Sequence, residues 1–351
     1  MGLLKSNKCY KFLLVAFILV DLFACNDKST NYKPIFVDSL YSNIAFNNSN
    51  NNWEFGYGFL NFKSDSTYIC HVLDDNIIGI FNYKDSNINK PLNFNGELLS
   101  FYCFDSSLTI LFEDKLEKYT FDDKLNFSKE TINHEIIFKD SLYLYSYIYS
   151  GIVPVNNKEF LAPFRVDNET ANLLDTFAYL HLVVDTNGLK TKSKEIQHPL
   201  KYFTTFEYLK LPLTVYAKNV NTLYSTFQKT PVIYSINIST NKKDSIVLSG
   251  YDTITFDYSR QKDIGYLRKY MMRNDYNYKL FIDNNSNLYI LKKCIENSLN
   301  KFELIILDKD LQLLSRSFIN QSIIAEVSFI KNNRLYVKSS NNNFIIYSLS
   351  N

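Results

Sequence analysis

Leu98-Leu99-Ser100-Phe101-Tyr102-Cys103, Asp105-Ser106-Ser107, Leu108-Thr109-Ile110-Leu111-Phe112-Glu113, Asp114-Lys115, Leu116-Glu117-Lys118-Tyr119-Thr120-Phe121: the reading of this stretch decides the fold. The apolar and aromatic runs have strand length, and the Asp, Ser and Lys between them form turns. Connections this short join only antiparallel neighbours, because a parallel pair needs a long crossover. Residues 98–126 therefore read as an antiparallel meander.

The same design returns further along. Leu213-Ala217, Thr222-Phe227, Val232-Ile238 and Asp244-Leu248 make one set of four strands; Lys279-Ile282, Asn287-Lys292, Phe302-Asp308 and Leu311-Phe318 make another. A last set holds only Glu326-Ile330, Arg334-Lys338 and Phe344-Leu349. One phrase recurs at the second strand, as Asn221-Thr222-Leu223-Tyr224, Ser286-Asn287-Leu288-Tyr289 and Asn333-Arg334-Leu335-Tyr336. Asn157-Lys158-Glu159-Phe160-Leu161 and Ser107-Leu108-Thr109-Ile110 are looser echoes. Spacings of roughly 45 to 65 residues suit a repeated four-stranded unit. The expected fold class is therefore all-β, a β-propeller of six blades with four antiparallel strands each, behind an N-terminal signal peptide. A pair of β-sandwiches is the rival fold, seven blades is the alternative count that length and repeat intervals disfavour, and Phe164 to Gln197 resists phasing.

Ile282-Asp283-Asn284-Asn285-Ser286-Asn287-Leu288-Tyr289-Ile290 resembles the Asp-x-x-Gly-Asn-Ile-Tyr phrase of NHL-type six-bladed propellers, with Ser286 in the glycine place. The resemblance implies a tight turn between the first two strands of a blade, its Asp and Asn bonded to the turn backbone. The same residues superficially suit a calcium loop, but Leu288 stands where such a loop wants glycine and Cys294 where it wants Glu. A turn is the better reading, and no metal is expected.

Blade packing also accounts for Leu142-Tyr143-Leu144-Tyr145-Ser146-Tyr147-Ile148-Tyr149, apolar on both faces, since a blade between two neighbours buries both. The last set lacks a strand that Ile35 to Val37, or Leu40 to Phe46, would supply, closing the ring and removing an exposed edge.

The N-terminus supplies an address. Lys5, Lys8 and Lys11 precede an apolar run from Phe12 to Val20, then Leu22-Phe23-Ala24-Cys25 and polar residues. That order is a secretory signal, with an apolar core far short of the roughly 20 residues that span a bilayer. Leu22-Phe23-Ala24-Cys25 resembles a bacterial lipobox, which implies cleavage before Cys25 and acylation of its thiol; a soluble secretory signal is the alternative. The expected division is a signal at 1–24, a lipidated N-terminus and linker at 25–33, and the propeller at 34–351. Together the features are similar to uncharacterised β-propeller lipoproteins of Gram-negative bacteria, with NHL-like or TolB-like six-bladed propellers. That resemblance implies a lipid-anchored protein of the cell envelope, at the outer membrane by analogy with lipoprotein sorting.

Composition narrows the partners. Lys plus Arg is 38 and Asp plus Glu is 36, a net charge of +2, which offers no footprint for nucleic acid. Cys9 falls in the signal and Cys25 at its end, leaving Cys70, Cys103 and Cys294 at unrelated spacings. They read as small buried hydrophobes, with one bridged pair as the alternative in an oxidising compartment.

Chemistry-bearing patterns are sparse. There is no phosphate-binding Gly-x-x-x-x-Gly-Lys, no His-Glu-x-x-His and no Gly-x-Ser-x-Gly, and His71, His134, His181 and His198 stand apart. No cofactor is expected. Tyr258 to Asp275 carries Ile264, Leu267, Tyr270 and Met271 at helical spacing. Its Arg260, Arg268 and Arg273 read either as a solvated helix face or as an anion-binding rim. Trp53, flanked by asparagines, is a candidate exposed aromatic. The expected function is a non-enzymatic binding platform for an envelope protein, peptide or glycan, anchored to the membrane through Cys25. The alternative is a propeller enzyme of the glycoside hydrolase or lyase class acting on polysaccharide.

Overall fold

The computed structural model describes residues 35–36, 40–41, 57–62, 67–74, 76–82, 88–96, 98–112, 114–133, 142–144, 152–166, 175–185, 188–191, 196–202, 212–251, 257–260, 263, 265–266, 269–270, 275–296, 299–319, 323–332, 334–339 and 343–348. After two short strands, β1 (Ile35–Phe36) and β2 (Leu40–Tyr41), the chain builds six antiparallel sheets in order. Blade 1 holds β3 (Tyr57–Asn61), β4 (Thr67–Asp74), β5 (Ile77–Asn82) and β6 (Ile88–Asn93). Blade 2 holds β7 (Leu98–Phe104), β8 (Ser107–Phe112), β9 (Lys115–Phe121) and β10 (Phe127–Asn133). In blade 3, β11 (Leu142–Leu144) and β12 (Val153–Pro154) share the first position, beside β13 (Glu159–Val166) and β14 (Asp175–Asp185). Its fourth position is likewise shared, by β15 (Gly188–Thr191) and β16 (Ile196–Tyr202), with a register shift. Those interruptions are why residues 164–197 show no clean period.

Blade 4 holds β17 (Pro212–Ala217), β18 (Thr222–Phe227), β19 (Val232–Asn237) and β20 (Lys243–Val247). Blade 5 holds β21 (Tyr276–Ile282), β22 (Leu288–Glu296), β23 (Leu299–Leu307) and β24 (Leu313–Ile319). Blade 6 holds β25 (Ile323–Lys331), β26 (Arg334–Ser339) and β27 (Asn343–Ser348). Its outer position is filled from the other end of the chain: Ile35 and Phe36 pair with Ser348 and Tyr347, and Leu40 and Tyr41 with Phe344 and Asn343. Both candidate closing segments are thus used. The first strands pack successively, β3 on β7, β7 on β12, β12 on β17, β17 on β21, β21 on β25 and β25 back on β3. The ring is closed.

The core lies in the seams between blades, and side-chain alternation builds it. Leu288 and Ile290 of β22 join Leu213, Tyr224 and Ile233 of blade 4, while Tyr289 and Leu291 join Leu335 and Val337 of blade 6. Leu108 and Ile110 of β8 likewise join Leu60, Cys70 and Ile80 of blade 1, and Leu111 joins Phe160 and Leu182 of blade 3. The recurring Leu-Tyr phrase is this second strand: Leu223, Leu288 and Leu335 are each 0% exposed. Each such burial contributes roughly 1.5–3 kcal/mol.

One five-residue turn recurs three times. In 283–287, Asp283 Oδ1 accepts the N–H groups of Asn285 at 2.9 Å and Asn287 at 2.8 Å, and Oδ2 accepts Asn287 Nδ2 at 2.9 Å. Asp122 and Asp308 make the same backbone bonds in 122–126 and 308–312. The fourth residue takes positive φ each time, +65° at Ser286, +61° at Leu125 and +63° at Leu311. The tight turn and the bonding of Asp283 to its backbone are as expected, with Ser286 in the glycine conformation, but the Asn287 side chain bonds the Asp283 carboxylate rather than the backbone. These turns join first to second or third to fourth strands, so they open on one face of the ring. Second-to-third loops and blade-to-blade crossovers open on the other.

Candidate functional site

Around the crossover from blade 4 to blade 5, on that second face, lies the densest set of buried charge among the described residues. Alternation along β22 points Lys292 at blade 4, in line with Leu288 and Ile290, yet it is 1% exposed. Its ammonium is met by Asp275 Oδ2 at 2.8 Å, Glu303 Oε2 at 3.1 Å and the Gly250 carbonyl at 2.6 Å. Glu303 lies directly opposite Lys292 in the β22–β23 register. Arg316 from β24 holds the same carboxylate in a fork, Nε to Oε1 at 2.8 Å and an Nη to Oε2 at 3.1 Å. It also donates to the Ser249 carbonyl at 2.9 Å. The signs alternate as Asp275, Lys292, Glu303, Arg316. Gly250 sits at φ +70°, and a Cβ there would stand 3.1 Å from the guanidinium.

The neighbours complete the cluster. The Tyr251 ring lies 4.3 Å from the Lys292 ammonium, and its hydroxyl bonds Asn277 Oδ1. Asn277 Nδ2 reaches Thr226 Oγ1 at 3.1 Å and the Thr230 carbonyl at 2.8 Å, fixing blade 5 to the second-to-third loop of blade 4. Burial opposes the charge on Lys292, but Asp275 and Glu303 outweigh it and hold its pKa above the ordinary value. Burial pushes the Cys294 thiol up to about 11. Lys229, in the same loop of blade 4, is pulled down to about 7 by burial, opposed by Asp275 and reinforced by Lys293. An amine titrating near neutrality can accept a proton, and that is the chemical capability of this cluster.

A second feature marks the axis. Lys279 of β21 donates to the Ser328 carbonyl of β25 at 3.1 Å and lies 5.4 Å from the Phe281 ring and 5.8 Å from the Phe59 ring. Phe59 belongs to β3, two places round the ring, so the ammonium lies on the axial side of the inner strands. Phe59 packs on Phe329 at 4.8 Å, and Phe329 stacks on Tyr336 at 4.8 Å.

Of the residues singled out in the sequence, Arg260 is exposed, paired with Asp263 at 2.6 Å and set 4.7 Å over the Tyr266 ring. It lies in a 3-10 turn, Tyr258–Arg260, and Gly265, Tyr266, Lys269 and Tyr270 of the expected helix are helical. Arg268, Arg273, Trp53 and Cys25 fall outside the described residues. His181 bonds Glu159 at 3.0 Å within blade 3. Asp275, Lys292, Glu303, Arg316 and Lys229 were not singled out. The available signal was a lysine at a position where the alternation of Leu288 and Ile290 asks for an apolar residue. Among the described residues, no cluster of His, Cys, Asp or Glu suits a metal, and no helix is long and apolar enough to cross a membrane.

No family model matches the chain, and no curated protein matches it. Among solved structures, a member of the DUF4221 family from Bacteroides vulgatus aligns at TM-score 0.61 and 11% identity, covering 92% of this chain and 99% of that one. A protein from Lactobacillus plantarum aligns at TM-score 0.40 and 11% identity, covering 84% of each chain. Hydrazine synthase from Kuenenia stuttgartiensis aligns at TM-score 0.46 and 11% identity, again covering 84% of each. At such identities the likeness is one of fold. The protein is a six-bladed β-propeller.

Proposed function

We propose that the protein is a binding platform of the cell envelope, lipid-anchored at Cys25 and presenting a rigid propeller to an envelope protein, peptide or glycan. The observation that carries this reading is that three of the four exposed large hydrophobics among the described residues lie on blades 4 and 5, the fourth being Phe127 on β10 of blade 2 at 40%. Val247 on β20 is 74% exposed, and Leu313 and Phe318 on β24 are 45% and 57% exposed. All three sit on the outer strands of adjacent blades 4 and 5, while the charges between those blades bond one another. Exposed apolar side chains beside a rigid frame mark an interaction surface more readily than a reaction centre. Two measurements test the reading. Cys25→Ser should move the protein from the membrane fraction to the soluble fraction. A photo-crosslinker at position 318 should give one discrete envelope adduct that Val247→Asp abolishes without lowering Tm. Retention of Cys25→Ser on membranes, or an unstructured smear of adducts, would overturn it.

A further inference from the structure

We propose that Cys70 and Cys103 form a disulfide that staples blade 1 to blade 2 when the chain folds in the presence of a disulfide oxidant. The two thiols lie 33 positions apart in sequence and in different blades, yet the fold brings them together through a glycine. Gly58 on β3 is paired directly with Cys70 on β4, so the two positions point to the same side of blade 1. A Cβ on Gly58 would stand 2.5 Å from Cys103 Sγ, which comes from β7 of blade 2. Cys103 thus fills the volume that a side chain at 58 would take, and that volume adjoins the Cys70 side chain. Cys70 lies buried in an apolar cluster with Leu60, Ile80, Leu108 and Ile110, and the partly buried Cys103 packs against that same cluster. Both are free thiols in this structure.

The chemistry balances as exchange. The thiolate of one cysteine attacks a sulfur of an external disulfide, either a small molecule or a thiol oxidoreductase, and displaces one of its sulfurs as thiolate. The second cysteine, as thiolate, then attacks the mixed disulfide and expels the other. The two cysteine protons pass through solvent to the two expelled thiolates, and two electrons reduce the oxidant to two thiols. Burial, together with Cys70, holds the Cys103 thiol well above its ordinary pKa. The packed seam therefore reacts slowly, and the bond forms before blades 1 and 2 close on each other. Cys294, on blade 5 beside Glu303, is the internal control.

The test uses the full chain, purified reduced, so it does not depend on the cellular address proposed above. The protein is refolded in a glutathione–glutathione disulfide buffer, alkylated under denaturing, non-reducing conditions, and digested. The expected product is one peptide pair joined through Cys70 and Cys103, with Cys9, Cys25 and Cys294 alkylated. The oxidised protein should melt roughly 5 °C above the same protein in reductant. Cys103→Ser should erase that difference while melting like the reduced wild type. Alkylation of both Cys70 and Cys103, a bond through Cys294 instead, or a reductant effect that persists in Cys103→Ser would each overturn the proposal.

Discussion

Gly58 shows how little space the seam between blades 1 and 2 leaves. A methyl group there would meet Cys103 Sγ at 2.5 Å and Phe101 Cε2 at 3.0 Å, both from the neighbouring blade. Gly58→Ala should therefore cost about 1–3 kcal/mol, read as a lowered urea midpoint. Leu125 and Leu311 pose a different balance, since each takes a left-handed conformation and each is 6% exposed. The conformation costs roughly 1–2 kcal/mol and the burial returns roughly 1.5–3, so a leucine survives where glycine is usual. Leu311→Gly should accordingly destabilise the protein, a sign that separates burial from backbone strain. Two lysines set a pH dependence. Burial lowers Lys229 to about 7 and Lys338 to about 8, against an ordinary 10.5. Between those values and pH 9 the unfolded chain holds protons that the folded chain releases, so stability should rise with pH across that window. Above pH 9 the raised thiols of Cys103 and Cys294 work in the opposite sense, because the folded state then keeps the proton. Urea midpoints at pH 7 and 9 should show the rise, and Lys229→Met should flatten it.

At the scale of elements, the second strands were legible and the charges between them were not. The Leu-Tyr phrase marks β18, β22 and β26 because a strand buried on both sides carries large apolar residues consecutively. The turn at 283–287 was equally legible, since its Asp and Asn act within five residues. Asp283→Ala removes acceptors from Asn285, Asn287 and the Tyr289 hydroxyl, and should cost about 2–4 kcal/mol in thermal or urea unfolding. By contrast, Asp275, Lys292, Glu303 and Arg316 meet only once blade register is set, and no local pattern announces their pairing. The same holds for Cys70 and Cys103, joined through a glycine on a third strand. Lys292→Met strips Asp275 and half of Glu303 of a partner, and should destabilise by about 3–5 kcal/mol. Adding Asp275→Asn should restore part of that loss, because the orphaned charge is then gone.

For the whole molecule, six sheets share one cooperative boundary, the pairing of β1 and β2 with β27. Removing residues 26–41 would expose an unpaired edge on β27. The truncated protein should melt less cooperatively and scatter light at concentrations where the full chain stays monodisperse. That closure also carries a consequence in time. Ile35 and Ser348 are partners 313 positions apart, so the first of the described strands to be synthesised waits for the last of them. At roughly 5–20 residues per second, the wait is on the order of tens of seconds. Throughout it the growing polypeptide has no route to a finished ring, however well its individual blades collapse. For the exported lipoprotein proposed above, which would thread through a pore before folding, the order of the strands would itself supply the delay.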